Sequence, residues 1–252
     1  MKLLGSMAIA FSMYSKIPVP QVAWTKERMK YAMCFFPLVG AVQGLFLYGF
    51  ARLAWRWELW VLYYVGGVVL PMIVNGGIHM DGFLDVVDAK ASFGEKEKKL
   101  EILKDPHTGA FAILGAIVYV LLYLAVFVEL PADYVPAVGS VYVLTRAMSG
   151  LSVVWFPKAK NSGLAAAFSG DAGKRAVAAT MFGFMALSLC FMIWTAGVAA
   201  GVLCALAAGL VYVYYYRMSV KEFGGITGDL AGYFLQVCEL MLVAVLAVAS
   251  RM

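Results

Sequence analysis

The chain has 252 residues, 63% of them hydrophobic and only 14% charged, with a mean hydropathy of +0.83. A soluble domain of this size carries about 25% charged residues, so a soluble globular fold is excluded. Short alternating segments of about ten residues, the signature of a transmembrane barrel, are missing. The net charge of +5 calls for no nucleic-acid partner, because basic loops in a membrane protein serve its topology. What remains is an all-α, polytopic integral membrane protein, read as a single membrane-embedded domain over residues 1–252.

The first apolar stretch, residues 1–10, leads into Lys16-Ile17-Pro18-Val19-Pro20 without a convincing small-residue cleavage site. With about a dozen apolar residues it is too short to cross a bilayer, and it reads as an interfacial or re-entrant helix. About seven transmembrane helices follow, at 31–51, 59–78, 109–130, 134–156, 176–194, 196–216 and 230–249, with the 190–200 join the hardest to place. Pro37, Gly40, Gly44, Gly66, Gly67 and Pro71 fall inside these spans, where small residues permit close helix contact. Cys34, Cys190, Cys204 and Cys238 also lie in apolar runs and read as small hydrophobes. Trp24, Trp55, Trp57, Trp60 and Trp155 lie near span ends, as in an aromatic belt.

Lysine and arginine placement supplies an orientation. Lys2 and segments 14–30, 79–107, 157–175 and 217–229 hold 16 of the 20, whereas the alternate connections hold only Arg52, Arg56 and Arg251. The positive-inside rule puts the first group in the cytoplasm. Asp81, Asp85, Asp88, Asp105, Asp171 and Asp229 fall on that same side, so a site built from them faces cytosolic metabolites.

The most informative stretch is Asn75–Ala89. Asp81, Asp85 and Asp88 are spaced i, i+4, i+7, within roughly 60° of one another on a helix. Three like charges on one stripe are unfavourable unless a cation covers them. Hard divalent cations take oxygen ligands, and Mg²⁺ typically uses one or two carboxylates plus substrate phosphates. A metal–phosphate site is therefore expected, against the alternatives of a solvated helix face or a proton relay. Residues 95–104 read as an amphipathic surface helix of mixed charge. In Lys104-Asp105-Pro106-His107-Thr108-Gly109, Asp105 and Pro106 suit an N-cap and first helical position. Lys104 beside a helix N-terminus also makes an anion site, and His107 could donate to a phosphate or carry a proton.

Loop 157–175 is rich in glycine, serine and cations, which fits either positive-inside anchoring or a flap over an anionic substrate. Gly224-Gly225-Ile226-Thr227-Gly228-Asp229 runs into the last span, with Asp229 either an N-cap or a group opposing the aspartate stripe. Arg146 and Glu239 lie inside spans, each about 15 Å from the cytoplasmic end. Intramembrane charges are expensive and pair or line cavities, so these two are expected to pair or to floor the polar site.

Three motifs, Gly77–Ala89, Lys104–Gly109 and Gly224–Asp229, together with Ile17-Pro18-Val19-Pro20 and Arg146, resemble the adenosylcobinamide-GDP ribazoletransferase (cobalamin synthase) family along nearly the whole chain. The resemblance implies an Mg²⁺-dependent enzyme of the cytoplasmic (inner) membrane, surrounded by membrane lipid, that completes the lower loop of cobalamin. It implies adenosylcobinamide-GDP as donor, α-ribazole or α-ribazole 5′-phosphate as acceptor, and GMP as leaving group. Asp81, Asp85 and Asp88 would then hold Mg²⁺, with Asp229 as a further ligand or base. Asp88, Asp229 and His107 are the acid–base candidates, and Lys104, Asp105, Asn75, Thr227 and Arg146 the substrate-binding ones. Homo-oligomer formation is compatible with this reading. A CDP-alcohol phosphotransferase ranks second, because Asp81-Gly82 lacks the Ala-Arg that its motif requires. An ion-coupled transporter ranks below it, since carboxylates here gather at one face instead of at the midplane of an inverted repeat.

Overall fold

Helix is the only extended secondary structure among the described residues, 2–159 and 171–252, of the computed structural model. In chain order the helices are α1 (Lys2–Tyr14), α2 (Lys26–Ala32), α3 (Phe36–Arg56), α4 (Trp60–Asn75), α5 (Ile78–Ala91), α6 (Lys96–Ile102), α7 (Ala110–Val128), α8 (Val135–Trp155), α9 (Asp171–Phe223) and α10 (Gly228–Ala249). A 3₁₀ turn at Met33–Phe35 joins α2 to α3, and another at Ala132–Tyr134 precedes α8.

Five stretches are long and apolar enough to cross a bilayer, namely Lys26–Arg56, Ala110–Val128, Ala132–Trp155, Gly173–Phe223 and Gly228–Ala249. The fourth has 51 residues. At about 1.5 Å per residue that is more than twice a bilayer core of about 30 Å. Gly197 divides it, with φ 89° and ψ 164°, so α9 comprises two membrane-length halves. This break is the join that the sequence left hardest to place. The remaining candidate is α4 together with α5, joined through a 96° bend as a broken span or a re-entrant pair. With α9 taken as two halves and this bent pair as one span the total reaches seven, and α1 is the short helix that precedes them, at 13 residues.

The bend between α4 and α5 has a local cause. Gly76 and Gly77 both adopt left-handed backbone, φ 67° and 79°, which glycine alone enters without strain. Asn75 Oδ1 accepts from Gly77 N at 2.8 Å and holds the corner. The α4 crossing thus ends at Asn75, and α5 runs across the end of the bundle.

The interior belongs to α8. Of its most apolar window 83% is buried, against 22% for α7, which therefore faces lipid. Gly40 and Gly44 of α3 let α8 approach: a β-carbon at Gly40 would lie 2.4 Å from Tyr142 O, and one at Gly44 2.7 Å from Gly139 Cα. This is small-residue packing of the membrane type. Trp24, Trp55, Trp57, Trp60 and Trp155 are all exposed, as a belt requires. The four cysteines are free thiols.

Backbone contacts gather the basic segments at one end of the bundle. Ile226 N donates to Pro157 O at 2.8 Å and Ala159 N to Ile226 O at 3.1 Å, joining the segment after α8 to the turn before α10. Lys99 on α6 pairs with Glu222 at the end of α9, 2.8 Å apart. A β-carbon at Gly173 would meet Lys30 O at 2.7 Å, which puts the start of α9 beside α2. The expected flap over 157–175 falls partly outside the described residues, since 160–170 are not among them.

Candidate active site

A cavity of about 140 Å³ opens where α5 crosses the start of α10, and Asp81, Thr227 and Asp229 all line it. His79, Ser149, Tyr14 and Phe36 also line it, among apolar residues such as Met33, Ile78, Val153 and Leu235. Two glycines allow the approach. A β-carbon at Gly82 would lie 2.8 Å from both Cα and O of Asp229, and one at Gly232 3.0 Å from His79 O. Any side chain at Gly82 would therefore displace the backbone that carries Asp229.

Thr227 is the N-cap of α10, accepting from Leu230 N at 3.2 Å. Its hydroxyl also lies 3.3 Å from Asp229 Oδ2 as a donor. The alternative in which Asp229 caps the helix is thereby corrected: a hydroxyl does that work, and Asp229 sits in the first turn, where the helix dipole favours an anion.

Asp85 follows Asp81 one turn along α5 and does not line the cavity. Burial pushes its carboxyl up to about 6, with further contributions from Asp81, Asp229 and Asp88. The three carboxylates of α5 thus share one electrostatic environment, as their helical spacing anticipates, and Asp229 of α10 joins them.

Asp88 at the far end of the stripe is engaged otherwise. Its Oδ2 accepts from Gly109 N at 2.6 Å and its Oδ1 from Ala112 N at 2.9 Å, so it caps the start of α7 from another helix. A β-carbon at Gly109 would sit 2.5 Å from Asp88 Oδ2, which requires glycine there. The expectation that Asp105 and Pro106 cap this span is corrected, because α7 begins at Ala110. Asp105 instead closes a local turn, accepting from His107 N at 3.0 Å and lying 2.7 Å from His107 Nδ1. Those hydrogen bonds hold its carboxyl below the usual range. Lys104, Asp105 and His107 are exposed and lie outside the cavity wall.

Arg146 and Glu239 do pair. Arg146 Nη1 donates to Glu239 Oε1 at 2.7 Å and to Tyr142 O at 3.0 Å, and Nη2 donates to Gln43 Oε1 at 2.7 Å. The guanidinium is fully buried. Asn75 is buried next to it, with His79 between them: His79 Nδ1 is 3.5 Å from Asn75 Nδ2 and 3.4 Å from Arg146 Nη2. Both residues therefore reach the cavity only through His79. Sequence reasoning passed over His79, although it stands four residues after Asn75, the last residue of α4, and two before Asp81 on α5.

Among the described residues no three or more His, Cys, Asp or Glu side chains come together as a group that could hold a metal ion, so Asp81, Asp85, Asp88 and Asp229 do not form one shared ligand set. The donors that face the cavity are hard carboxylate oxygens from two helices, and Mg²⁺ bound through one or two carboxylates and substrate phosphates asks for no more. The residues present fit such an ion.

The chain matches the cobalamin-5-phosphate synthase family over residues 6–247. It is 43% identical to an adenosylcobinamide-GDP ribazoletransferase of Lachnoclostridium phytofermentans, covering 96% of this chain and 92% of the relative. It is 30% identical to one of Clostridium perfringens, with 92% of each covered, and 29% identical to one of Pseudomonas savastanoi pv. phaseolicola, with 88% and 89% covered. No solved structure matches. The chain belongs to the cobalamin-5-phosphate synthase family and is a transferase of cobalamin biosynthesis.

Proposed function

We propose that this chain transfers the adenosylcobinamide-phosphate moiety of adenosylcobinamide-GDP to α-ribazole or α-ribazole 5′-phosphate. GMP is released, and adenosylcobalamin or its 5′-phosphate is formed. The names of the relatives support the substrate pair. The observation that carries the chemistry is the cavity where Asp81 of α5 meets Asp229 of α10.

Displacing GMP from a diphosphate builds negative charge on the transferring phosphoryl group and on the leaving oxygen. Asp81 and Asp229 would hold Mg²⁺, which supplies charge neutralisation and orientation of the diphosphate when bound. Gly82 and Gly232 keep the two helices close enough for both carboxylates to address one ligand. Thr227 orients Asp229 through its hydroxyl. Both oxygens of Asp88 already accept backbone N–H groups, so removal of the proton from the incoming hydroxyl falls to whichever of Asp81, Asp85 and Asp229 the metal leaves free. Lys104, on the exposed loop beside the start of α7, is available to neutralise a substrate phosphate. The concentration of cations at this end of the bundle supports a site that faces the cytoplasm from the inner membrane.

The test is direct. Purified protein in lipid nanodiscs is incubated with adenosylcobinamide-GDP, α-ribazole and Mg²⁺, and GMP is followed by chromatography. Mg²⁺-dependent release of GMP is expected. Folded protein that releases none, and instead carries out ion-driven uptake in vesicles, would overturn the assignment in favour of transport.

A further inference from the structure

The hydrogen bonds of His79 fix what its ring can offer to the cavity. Asn75 Oδ1 accepts from Gly77 N, which identifies the other terminal atom of that amide, the one facing His79 Nδ1, as the NH₂. The second group at Nδ1 is Arg146 Nη2, a permanent donor. Two donors on one ring nitrogen assign it as the acceptor, so the ring carries its proton on Nε2. That N–H is buried and has no partner. Among the described residues it is the one unpartnered buried side-chain polar atom whose residue also lines the cavity of Asp81 and Asp229. Tyr14 and Phe36 flank the imidazole, with ring centroids 6.3 and 6.1 Å away, and they line the same cavity.

A buried N–H without an acceptor is unfavourable, and native sites rarely leave one unless a ligand or water completes it. We propose that His79 is a substrate-contacting residue whose Nε2–H donates to an oxygen of the diphosphate held between Asp81 and Asp229. The buried Arg146–Glu239 pair acts as its positioning group, with Arg146 Nη2 and Asn75 fixing the tautomer from behind. This inference rests on the transferase reading above and adds a neutral donor to a cavity whose charged side chains are the carboxylates Asp81 and Asp229. A cation there would compete with the metal for Asp81, whereas a neutral N–H binds phosphate oxygen without doing so.

The experiment compares wild type with His79→Gln and His79→Asn in nanodiscs at saturating Mg²⁺. Glutamine can place an amide N–H near the Nε2 position, whereas asparagine reaches only the Nδ1 position. For His79→Asn, kcat/KM for adenosylcobinamide-GDP is expected to fall about 10- to 100-fold, the range of a hydrogen bond to a charged oxygen. His79→Gln should recover a substantial part of it, with both variants melting near wild type. A second readout uses ¹⁵N-histidine spectra, simple to assign with 2 histidines in the chain. The Nε2 resonance of His79 should be protonated without substrate and should shift when adenosylcobinamide-GDP binds. Equal kcat/KM in all three proteins, or a ring protonated on Nδ1, would overturn the proposal while leaving the transferase reading intact. Failure of wild type itself to release GMP would strike at that reading instead.

Discussion

The two ends of the α5 stripe carry the same residue at helical spacing and do different work. At the first end Asp81 lines a cavity and faces Asp229 across the glycine contact at Gly82. At the second end Asp88 has both oxygens occupied by the backbone of α7. Asp85 lies between them and feels both. Spacing identifies a stripe of charge, but the identity of the neighbouring helix decides whether each member serves chemistry or architecture. One end opposes a helix start that is already capped by Thr227, and the other opposes a helix start that lacks a cap of its own.

Substitutions can break this contrast. The largest effect is expected for Asp81→Asn, with GMP release falling by about 10²–10³-fold or more and melting temperature nearly unchanged. Activity assays paired with thermal unfolding test this, and near-normal turnover would remove Asp81 from the site. Next comes Arg146→Met, which strands Glu239 as a buried, unpaired charge. A loss of about 3–5 kcal/mol in stability is expected, most of it regained in Arg146→Met/Glu239→Leu. That double variant should refold the bundle without restoring activity if Arg146 positions His79.

Gly82→Ala should cost about 1–3 kcal/mol through overpacking against Asp229, while activity falls more steeply than stability because the backbone carrying a ligand moves. Asp88→Ala removes the cap of α7 and should cost about 0.5–2 kcal/mol, with the rate reduced by less than about tenfold. A rate loss as deep as that of Asp81→Asn, in protein that melts normally, would erase the difference between the two ends. Lys104→Gln gives the smallest change. Stability should stay within about 0.5 kcal/mol, and KM for the diphosphate donor should rise more than kcat falls.

Much of this was legible in the sequence, for reasons that can be named. Apolar run length yields the spans, and equal depth from the same face pairs Arg146 with Glu239. The stripe follows from helical periodicity alone, because Asp81, Asp85 and Asp88 belong to a single element. What escaped depends on contacts between elements. Asp88 caps a helix that starts 22 residues later, and no local signal announces a cap supplied from such a distance. Asp105-Pro106 looked like a start, yet α7 begins beyond it, so the local motif lost to a tertiary one. His79 was hidden because its significance comes from a partner on α8 and from a cavity closed by α1, α3 and α10.

The central claim is that Asp81 and Asp229, and not Asp88, bring a divalent cation to the diphosphate. Electron paramagnetic resonance of Mn²⁺ in place of Mg²⁺, titrated into nanodisc-embedded protein with adenosylcobinamide-GDP, tests it most directly. Wild type and Asp88→Ala should immobilise the ion with similar affinity, whereas Asp81→Asn and Asp229→Asn should each weaken binding by about tenfold or more. Unchanged Mn²⁺ binding in Asp81→Asn and Asp229→Asn, or its loss in well-folded Asp88→Ala, would contradict the account.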